Sequence, residues 1–472
     1  MNASRRAFLS AASGLAAAGL GRHAAPLALN LAGLGALAAN QAQAATTDGY
    51  KALVCLFMHG GNDSHNWIVP MDAANYASYA AARGGLAVPL NKLLALSTPG
   101  QGSGREFGMP QELAPLRAKY EAGQCAVVAN VGTLLRPISK SEYQAGIGLP
   151  SKLFSHNDQA SMWQSLQVEG APTGWGGRMG DALMAANGQP VFTAVGANGN
   201  AVFLSGSKVT PYCVGLNGPI QVSAAQSGWH AGSTAVPAAL RSMLATSSSP
   251  NDFQAEYLKV AQRSLNASAT LQTALTGASL PALPTGAIAL SSGGSITLAN
   301  ESIAKQLRVV AQMIAAGSRL GMKRQVFMVS LSGFDCHAFQ MRDQPLQMAR
   351  VAQSVGWFMD ALQGLGLLNN VTLFTASDFG RTLINNGDGS DHGWGGHHLV
   401  AGGAVKGKRI IGNFPVTALG TASDIGSGRL LPTMGVSQLA GSLSGWMGLS
   451  STEQQVVLPN LSSFGAGPAL FS

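Results

Sequence analysis

Aspartate and histidine recur together at a few places in this chain, and both are side chains that hold metal ions and move protons. Seven of the eight histidines beyond residue 44 fall in four short segments. These read His59-Gly-Gly-Asn-Asp63-Ser-His65, Ser155-His156-Asn-Asp158, Asp335-Cys-His337 and Asp391-His392-Gly-Trp-Gly-Gly-His397-His398, and only His230 stands apart. A fifth segment, Ser377-Asp378-Phe-Gly-Arg381, adds an acid and a base. Such a set suits Zn, Mn or Fe, and where carboxylates dominate it suits Mg or Ca. A pair of such ions can clamp the attacking and leaving oxygens of a phosphoryl or sulfuryl transfer. The cysteines, Cys55, Cys125, Cys213 and Cys336, include no C-x-x-C pair, which excludes zinc-ribbon and thioredoxin readings.

The elements that must carry these segments are legible as periodicity. Short apolar runs rich in β-branched residues at Ala52–Met58, Ala126–Val131, Val191–Val195, Val326–Leu331 and Val371–Ala376 predict strands buried on both faces. Helical patterns cover Gln111–Ala122, Asp158–Gln167, Gly177–Ala186, Asp252–Thr276, Ile303–Arg319 and Leu346–Leu365. The alternation predicts an α/β fold, a mainly parallel central sheet covered by helices on both faces. The segments that begin at His59, Ser332 and Ser377 directly follow predicted strands. Open α/β sheets bind ligands at the carboxyl ends of their strands, so position and residue type point to one crevice. Residues 221–250 and 277–297 are rich in Ser, Gly, Ala, Thr and Pro. They predict exposed loops around a helical insertion in a single domain spanning 45–472.

Each site residue also has a structural reading. Asp63 closes a Gly-Gly-Asn-Asp turn. Ser155 with Asp158 reads as a helix cap or as a nucleophile at a helix N-terminus, where N–H groups favour an anion. His156 reads equally as ligand, general acid–base or packing residue. Asp378 and Arg381 read also as an ion pair, and one of His397 and His398 is expected to face the core. The oxygen-rich run Asn385–Asp391 lacks full EF-hand spacing, and structural calcium binding is a minor alternative. Trp67, Trp175 and Trp394 lie near these segments and read as packing before they read as a substrate wall.

Composition narrows the class further. Hydrophobic residues make up 46 % and charged residues 11 %, and the 60 glycines follow no G-X-Y period, which excludes coiled coil, ordinary disorder and collagen. The basic residues are scattered, so no nucleic-acid partner is expected. Of the formal net charge of +8, Arg5, Arg6 and Arg22 lie in the first 44 residues, which hold no acid; without them the charge is +5. Ser-Arg-Arg-Ala-Phe-Leu-Ser near the start resembles the twin-arginine export motif, and Ala42-Gln43-Ala44 matches a small-x-small cleavage site. Arg22, His23, Pro26 and Asn30 interrupt the apolar stretch, so no stable transmembrane anchor is expected. Residues 1–44 are therefore predicted to be a signal peptide, the twin-arginine translocation machinery a partner, and the mature protein periplasmic or secreted.

The motifs appear in a fixed order: the strand followed by Gly-Gly-Asn-Asp-Ser-His-Asn, then Phe-Ser-His-Asn-Asp-Gln, Gly-Phe-Asp-Cys-His, Ser-Asp-Phe-Gly-Arg-Thr and the Asp-His-Gly loop. Behind a twin-arginine leader, this set resembles the bacterial family labelled domain of unknown function 1501, itself similar to the alkaline phosphatase and sulfatase superfamily. The resemblance implies an alkaline phosphatase-like fold and a metal-dependent hydrolase acting on an anionic phosphate or sulfate ester. The alternative is a secreted, non-catalytic scaffold or binding protein with a degenerate site. It implies Asp63 as the first metal carboxylate, Asp335 and His337 as ligands of one ion, and Asp378, Asp391 and His392 as further ligands, with His397 or His398 closing the set. It implies Ser155 as the nucleophile, with Arg381 orienting an anionic oxygen and His156 assisting. Two features depart from the superfamily: Asp and His stand as Asp-x-His rather than a helical turn apart, and no Cys/Ser-x-Pro-x-Arg pattern surrounds Ser155.

Overall fold

The apolar runs become the central strands of one large sheet in the computed structural model, which describes residues 47–471 apart from 198, 222, 227, 229–231 and 247–248. The predicted signal segment and His230 lie outside the described residues. The sheet strands in chain order are β1 (Lys51–His59), β2 (Cys125–Gly132), β3 (Ala194–Ala197), β4 (Tyr212–Gly215), β5 (Gly218–Pro219), β6 (Arg324–Ser332), β7 (Val371–Ser377), β8 (Gly396–Ala401), β9 (Ile410–Ile411) and β10 (Met434–Gly435). Their order across the sheet is β9-β2-β8-β7-β1-β6-β3-β4-β5, with β10 also paired to β2. β1, β3, β4, β6 and β7 run parallel, β8 is antiparallel to both neighbours, and the sheet is mainly parallel, as the sequence predicts.

Helices cover both faces because strand side chains alternate in direction and both sets are apolar. The principal helices are α1 (Ala73–Arg83), α2 (Ala114–Glu121), α3 (His156–Ser165), α4 (Trp175–Leu183), α5 (Asp252–Leu275), α6 (Ser302–Ala315), α7 (Gln340–Gly364) and α8 (Val436–Met447). Ala52, Val54, Leu56 and Met58 of β1 pack in one core with Val310 of α6 and Val351 of α7. On the other face, Phe374 of β7 meets Trp175 of α4 and Phe203. Among the described residues, no helix is long and apolar enough to cross a membrane.

Two local expectations are revised. α7 begins at Gln340 and runs through Pro345, six residues earlier than the pattern predicts. Its start follows Phe339, whose φ of 53° turns the chain into the helix. Parts of the predicted loops are ordered as well. Residues Ala235–Thr246 form a helix, because Ala, Leu, Met and Arg outweigh the polar flanks and Pro237 sits in the tolerant first turn. A small hairpin pairs Ala287–Ala289 with Ser295–Thr297.

Register brings the chemistry to one edge. β1 pairs with β6 so that His59 lies opposite Ser332, and with β7 so that Met58 lies opposite Ser377. The loops carrying Gly60–Asp63, Gly333–His337 and Asp378–Arg381 therefore leave the sheet at the same level. β8 runs antiparallel to β7, so the connection between them, which holds Asp391 and His392, returns to that edge. Backbone bonds lash the loops together: Phe334 N–H donates to His59 O (3.2 Å), and Asn62 N–H donates to Ser377 Oγ (2.8 Å).

Gly60 makes the closest approach. Its φ is +115°, and a Cβ there would sit 2.4 Å from Asp335 N. Gly60→Ala is therefore expected to lower stability by more than about 1 kcal/mol and to push the Asp335 loop outward. Chemical denaturation checks the first effect, and a Gly60→Ala protein as stable as the parent refutes it.

Candidate metal centre

Asp335, one of the first residues beyond β6, stands at the middle of the edge. Its Oδ1 accepts from Arg381 Nη1 (2.6 Å) and lies 3.0 Å from His337 Nε2 and 3.4 Å from His392 Nε2. Its Oδ2 lies 3.4 Å from His156 Nε2. Burial pushes the carboxyl up, but the Arg381 hydrogen bond and charge, aided by His337 and His156, hold it below the usual range. His156, Asp335 and His392 each offer a ligand atom, all within 4.8 Å of one another.

The imidazole tautomers follow from what the far ring nitrogens touch. His156 Nδ1 lies 2.7 Å from Asp378 Oδ2, and a carboxylate only accepts, so Nδ1 carries the proton. His392 Nδ1 lies 2.8 Å from the carbonyl oxygen of Phe154, so it too carries the proton. His337 Nδ1 lies 3.3 Å from Asp391 Oδ1. Asp391 is held below the usual range by its hydrogen bond from Asn386, despite burial, with help from His337. In each case Nε2 is the ring atom that faces Asp335, and it can ligate a metal once it carries no proton. Partners of this kind on the far nitrogen are what fix a metal-binding histidine.

Two of these nitrogens almost touch: His337 Nε2 and His392 Nε2 are 2.9 Å apart. Two bare nitrogens repel at that distance, so a cation, proton or metal, belongs between them. Metal–nitrogen bonds of about 2.0–2.1 Å place neighbouring ligand atoms about 3 Å apart. These imidazole-rich donors thus fit a borderline divalent ion such as Zn better than an oxygen-seeking Mg or Ca.

Structural partners tighten the arrangement. Asp378 is buried, accepts also from Gly60 N–H (3.1 Å), and its Oδ1 has no hydrogen-bond partner. His392 is held at its carbonyl by Arg429 Nε (2.7 Å), and the same guanidinium lies over the Phe154 ring at 5.2 Å. Phe154 itself has φ of 71°, and that left-handed turn precedes α3. Sequence reasoning missed Phe154 and Arg429, because a backbone acceptor and a contact across 37 residues leave no spacing signal.

Other expected residues are engaged with partners of their own. Asp63, expected as the first metal carboxylate, is fully buried and engaged. Its Oδ2 accepts from Arg83 Nη2 (2.5 Å) and Gln340 Nε2 (2.5 Å), and its Oδ1 from His65 N–H (3.1 Å). His397 is buried as well: Nδ1 accepts from Asn130 N–H (3.1 Å) and the ring stacks on Phe414 at 4.1 Å. Its neighbour His398 points to the opposite face of β8 and packs on Trp163. Arg381, expected to orient an anionic oxygen, is enclosed, with hydrogen bonds to Asp335, Gly60 O and Ser390 O. Ser155 donates its hydroxyl to Asp158 Oδ2 (2.8 Å) and makes no side-chain bond to the helix backbone. Asn386 Nδ2 binds Asp391 Oδ1 (2.9 Å), so the oxygen-rich run folds upon itself. Trp67, Trp175 and Trp394 are buried packing residues. Cys336 is buried, and burial raises its thiol to about 11, which removes it as a nucleophile at neutral pH.

The buried rings set the response to acid. Burial lowers His65 to about 4 and His398 to about 3, against outweighed support from Asp63 and the Thr375 contact respectively. Both rings stay neutral in the folded protein, while the unfolded chain takes up protons below about 6.5. Stability is then complete above pH 6.5 and falls as pH drops through about 6.5 to 4. Each ring steepens the loss by roughly 1 kcal/mol per pH unit. Denaturant midpoints measured across that window test this, and a flat profile refutes it.

Fold and site together define an α/β protein with a histidine–carboxylate cluster, suited to a metal ion, at the carboxyl edge of its sheet. The chain belongs to the family described as protein of unknown function (DUF1501), which matches residues 50–429. Among solved structures it is similar to one from Bacteroides thetaiotaomicron, reported with a locus for metabolism of multiple glycosaminoglycans. That likeness has 11 % identity and a TM-score of 0.34, over 86 % of this chain and 74 % of the other. It is also similar to a sulfatase from Pseudoalteromonas sp., at 12 % identity and a TM-score of 0.29, over 90 % of this chain and 71 % of the other. No curated protein matches the sequence.

Proposed function

We propose that this protein is an exported, metal-dependent hydrolase of phosphate or sulfate esters, working in the periplasm or outside the cell. The observation that supports the reading is the convergence of His156, Asp335 and His392, with the far nitrogen of each ring already engaged. His156, Asp335 and His392 would hold a divalent ion, with His337 beside them. Such an ion supplies Lewis acidity toward a phosphoryl or sulfuryl oxygen. Asp378 keeps the proton of His156 on Nδ1, and the Phe154 carbonyl does the same for His392. Arg381 offsets the charge of Asp335 and holds its carboxylate in place. Ser155 is the hydroxyl next in chain to His156, and Asp158 stands ready to accept its proton.

A second reading draws on the same geometry. Arg381 is consumed by Asp335, and an enclosed guanidinium leaves little to grip a free anion. That favours a metal-binding secreted protein without catalysis. Metal analysis of protein purified without chelator, then assay on phosphate and sulfate esters, separates the two. Hydrolysis that falls more than about a hundredfold in Ser155→Ala, with metal content kept, supports the hydrolase. Metal without hydrolysis supports the second reading, and protein that binds no divalent ion refutes both.

A further inference from the structure

A cavity of about 430 Å³ opens beside the cluster on the same face of the sheet as α3. His59 ends β1, Ser330 lies on β6, and Asn157, Ser161 and Gln164 belong to α3, with Glu169 at the rim. The cavity and the cluster share elements. His156, which opens α3, precedes Asn157, and His59 precedes Gly60, whose N–H binds Asp378. A ligand held at His156 and extending along the first turns of α3 would meet Asn157, Ala160 and Ser161, which line this cavity.

The lining chemistry selects what enters. Among the described lining residues there is no Lys or Arg, so a sulfate or phosphate group would lose its hydration without gaining a cation. Glu169 is exposed, and its charge is screened by water and salt, which gives little hold on an amine. What remains is the amides of Asn157, Gln164 and Asn200, the His59 imidazole, the hydroxyls of Ser161 and Ser330, and apolar walls such as Val202 and Met328. Gln164 Oε1 accepts from Phe203 N–H (3.3 Å), which leaves its amide N–H groups for a ligand. Ser161 Oγ donates to Val168 O (2.9 Å) and lies 3.4 Å from Ser165 Oγ, which leaves it room to accept one further hydrogen bond. The volume lies within the range of small-molecule sites.

We infer that this cavity receives the uncharged, hydroxyl-bearing portion of the ester, of the size and polarity of one or two sugar rings, while the charged group stays at the His156–Asp335–His392 cluster. The inference rests on the proposed function for its role and on the cavity alone for its binding. The probes are methyl glycosides of common hexoses and pentoses, with inorganic sulfate and glucosamine as controls, read by ligand-observed NMR on the full mature chain. Neutral glycosides are expected to bind. Binding should weaken at least about tenfold in Ala160→Phe, which fills the cavity, and in Asn157→Ala, an exposed change that spares the core.

Metal content measured on the same samples should not change. Glycoside binding in protein that holds no metal keeps the binding site while removing the hydrolase reading. Metal without glycoside binding overturns this inference alone. Tighter binding of glucosamine than of neutral glycosides, sulfate binding that Ala160→Phe abolishes, or glycoside binding that neither variant weakens also overturns it.

Discussion

Asp335→Asn is expected to lower the affinity of the folded protein for a divalent ion by more than about a hundredfold, with little loss of stability. The magnitude follows from position. Removing a group that merely orients a metal ligand costs about ten- to a hundredfold, and Asp335 touches all three cluster histidines itself. Asparagine keeps the oxygen that accepts from Arg381 but removes the charge that offsets the ion. Asp335 is 44 % exposed at its side chain, so the exchange opens no core cavity. Arg381 retains Gly60 O and Ser390 O as acceptors. Titration calorimetry with Zn and Mn, beside thermal unfolding, reads both effects. An Asp335→Asn protein that retains the parent's metal affinity removes the cluster from consideration.

The part of this arrangement visible in the sequence is the part set by strand ends. β1, β6 and β7 were legible because their buried runs are continuous, and the residues just past those runs reach one edge by register alone. Asp335 and Asp378 are found that way, whereas His392 stands out by its glycine-rich Asp-His-Gly loop. What the sequence conceals is who holds whom. Asp63 follows a strand as Asp335 does, and both stand in loops rich in glycine. Asp63 meets Arg83, twenty residues later on α1, and a glutamine at the start of α7, whereas Asp335 meets Arg381 and three histidines. His397 and His398 look alike as a pair, but alternation on β8 sends them to opposite faces, and Phe414 waits on one side and Trp163 on the other. Arg381 reads in one dimension as the partner of Asp378 or of an anion, and its actual partners, Asp335, Gly60 O and Ser390 O, come from separate loops. Strand positions are local properties of the chain, whereas a carboxylate's partner is a property of the packed loops.

Arg83→Met is expected to destabilise the protein by about 3–5 kcal/mol while leaving the metal affinity of the folded molecules unchanged. Arg83 and Asp63 pair with side-chain exposures of 0 % and 3 %. Arg83 also donates to Thr382 O (3.1 Å) and Leu383 O (3.3 Å), so it ties α1 to the loop after β7. Burial alone would raise Asp63, but the charge and hydrogen bond of Arg83 and the Gln340 hydrogen bond together hold it below its usual range. Methionine fills much of the same volume and supplies no charge, so the carboxylate stays buried without its cation. Its pKa then rises above the unfolded value, and the folded variant takes up a proton where the unfolded chain does not. The parent loses the benefit of Asp63 as pH falls below its unfolded value near 3.8, whereas the variant gains relative stability as pH falls through its raised value. The deficit is therefore widest near neutral pH and narrows in acid. Asp63→Asn in the Arg83→Met background removes the buried charge and should recover part of the loss. Paired urea titrations at pH 7 and pH 5 measure both effects. If Asp63→Asn alone strips the metal with an unchanged melting temperature, Asp63 acts at the cluster and not in this buried pair.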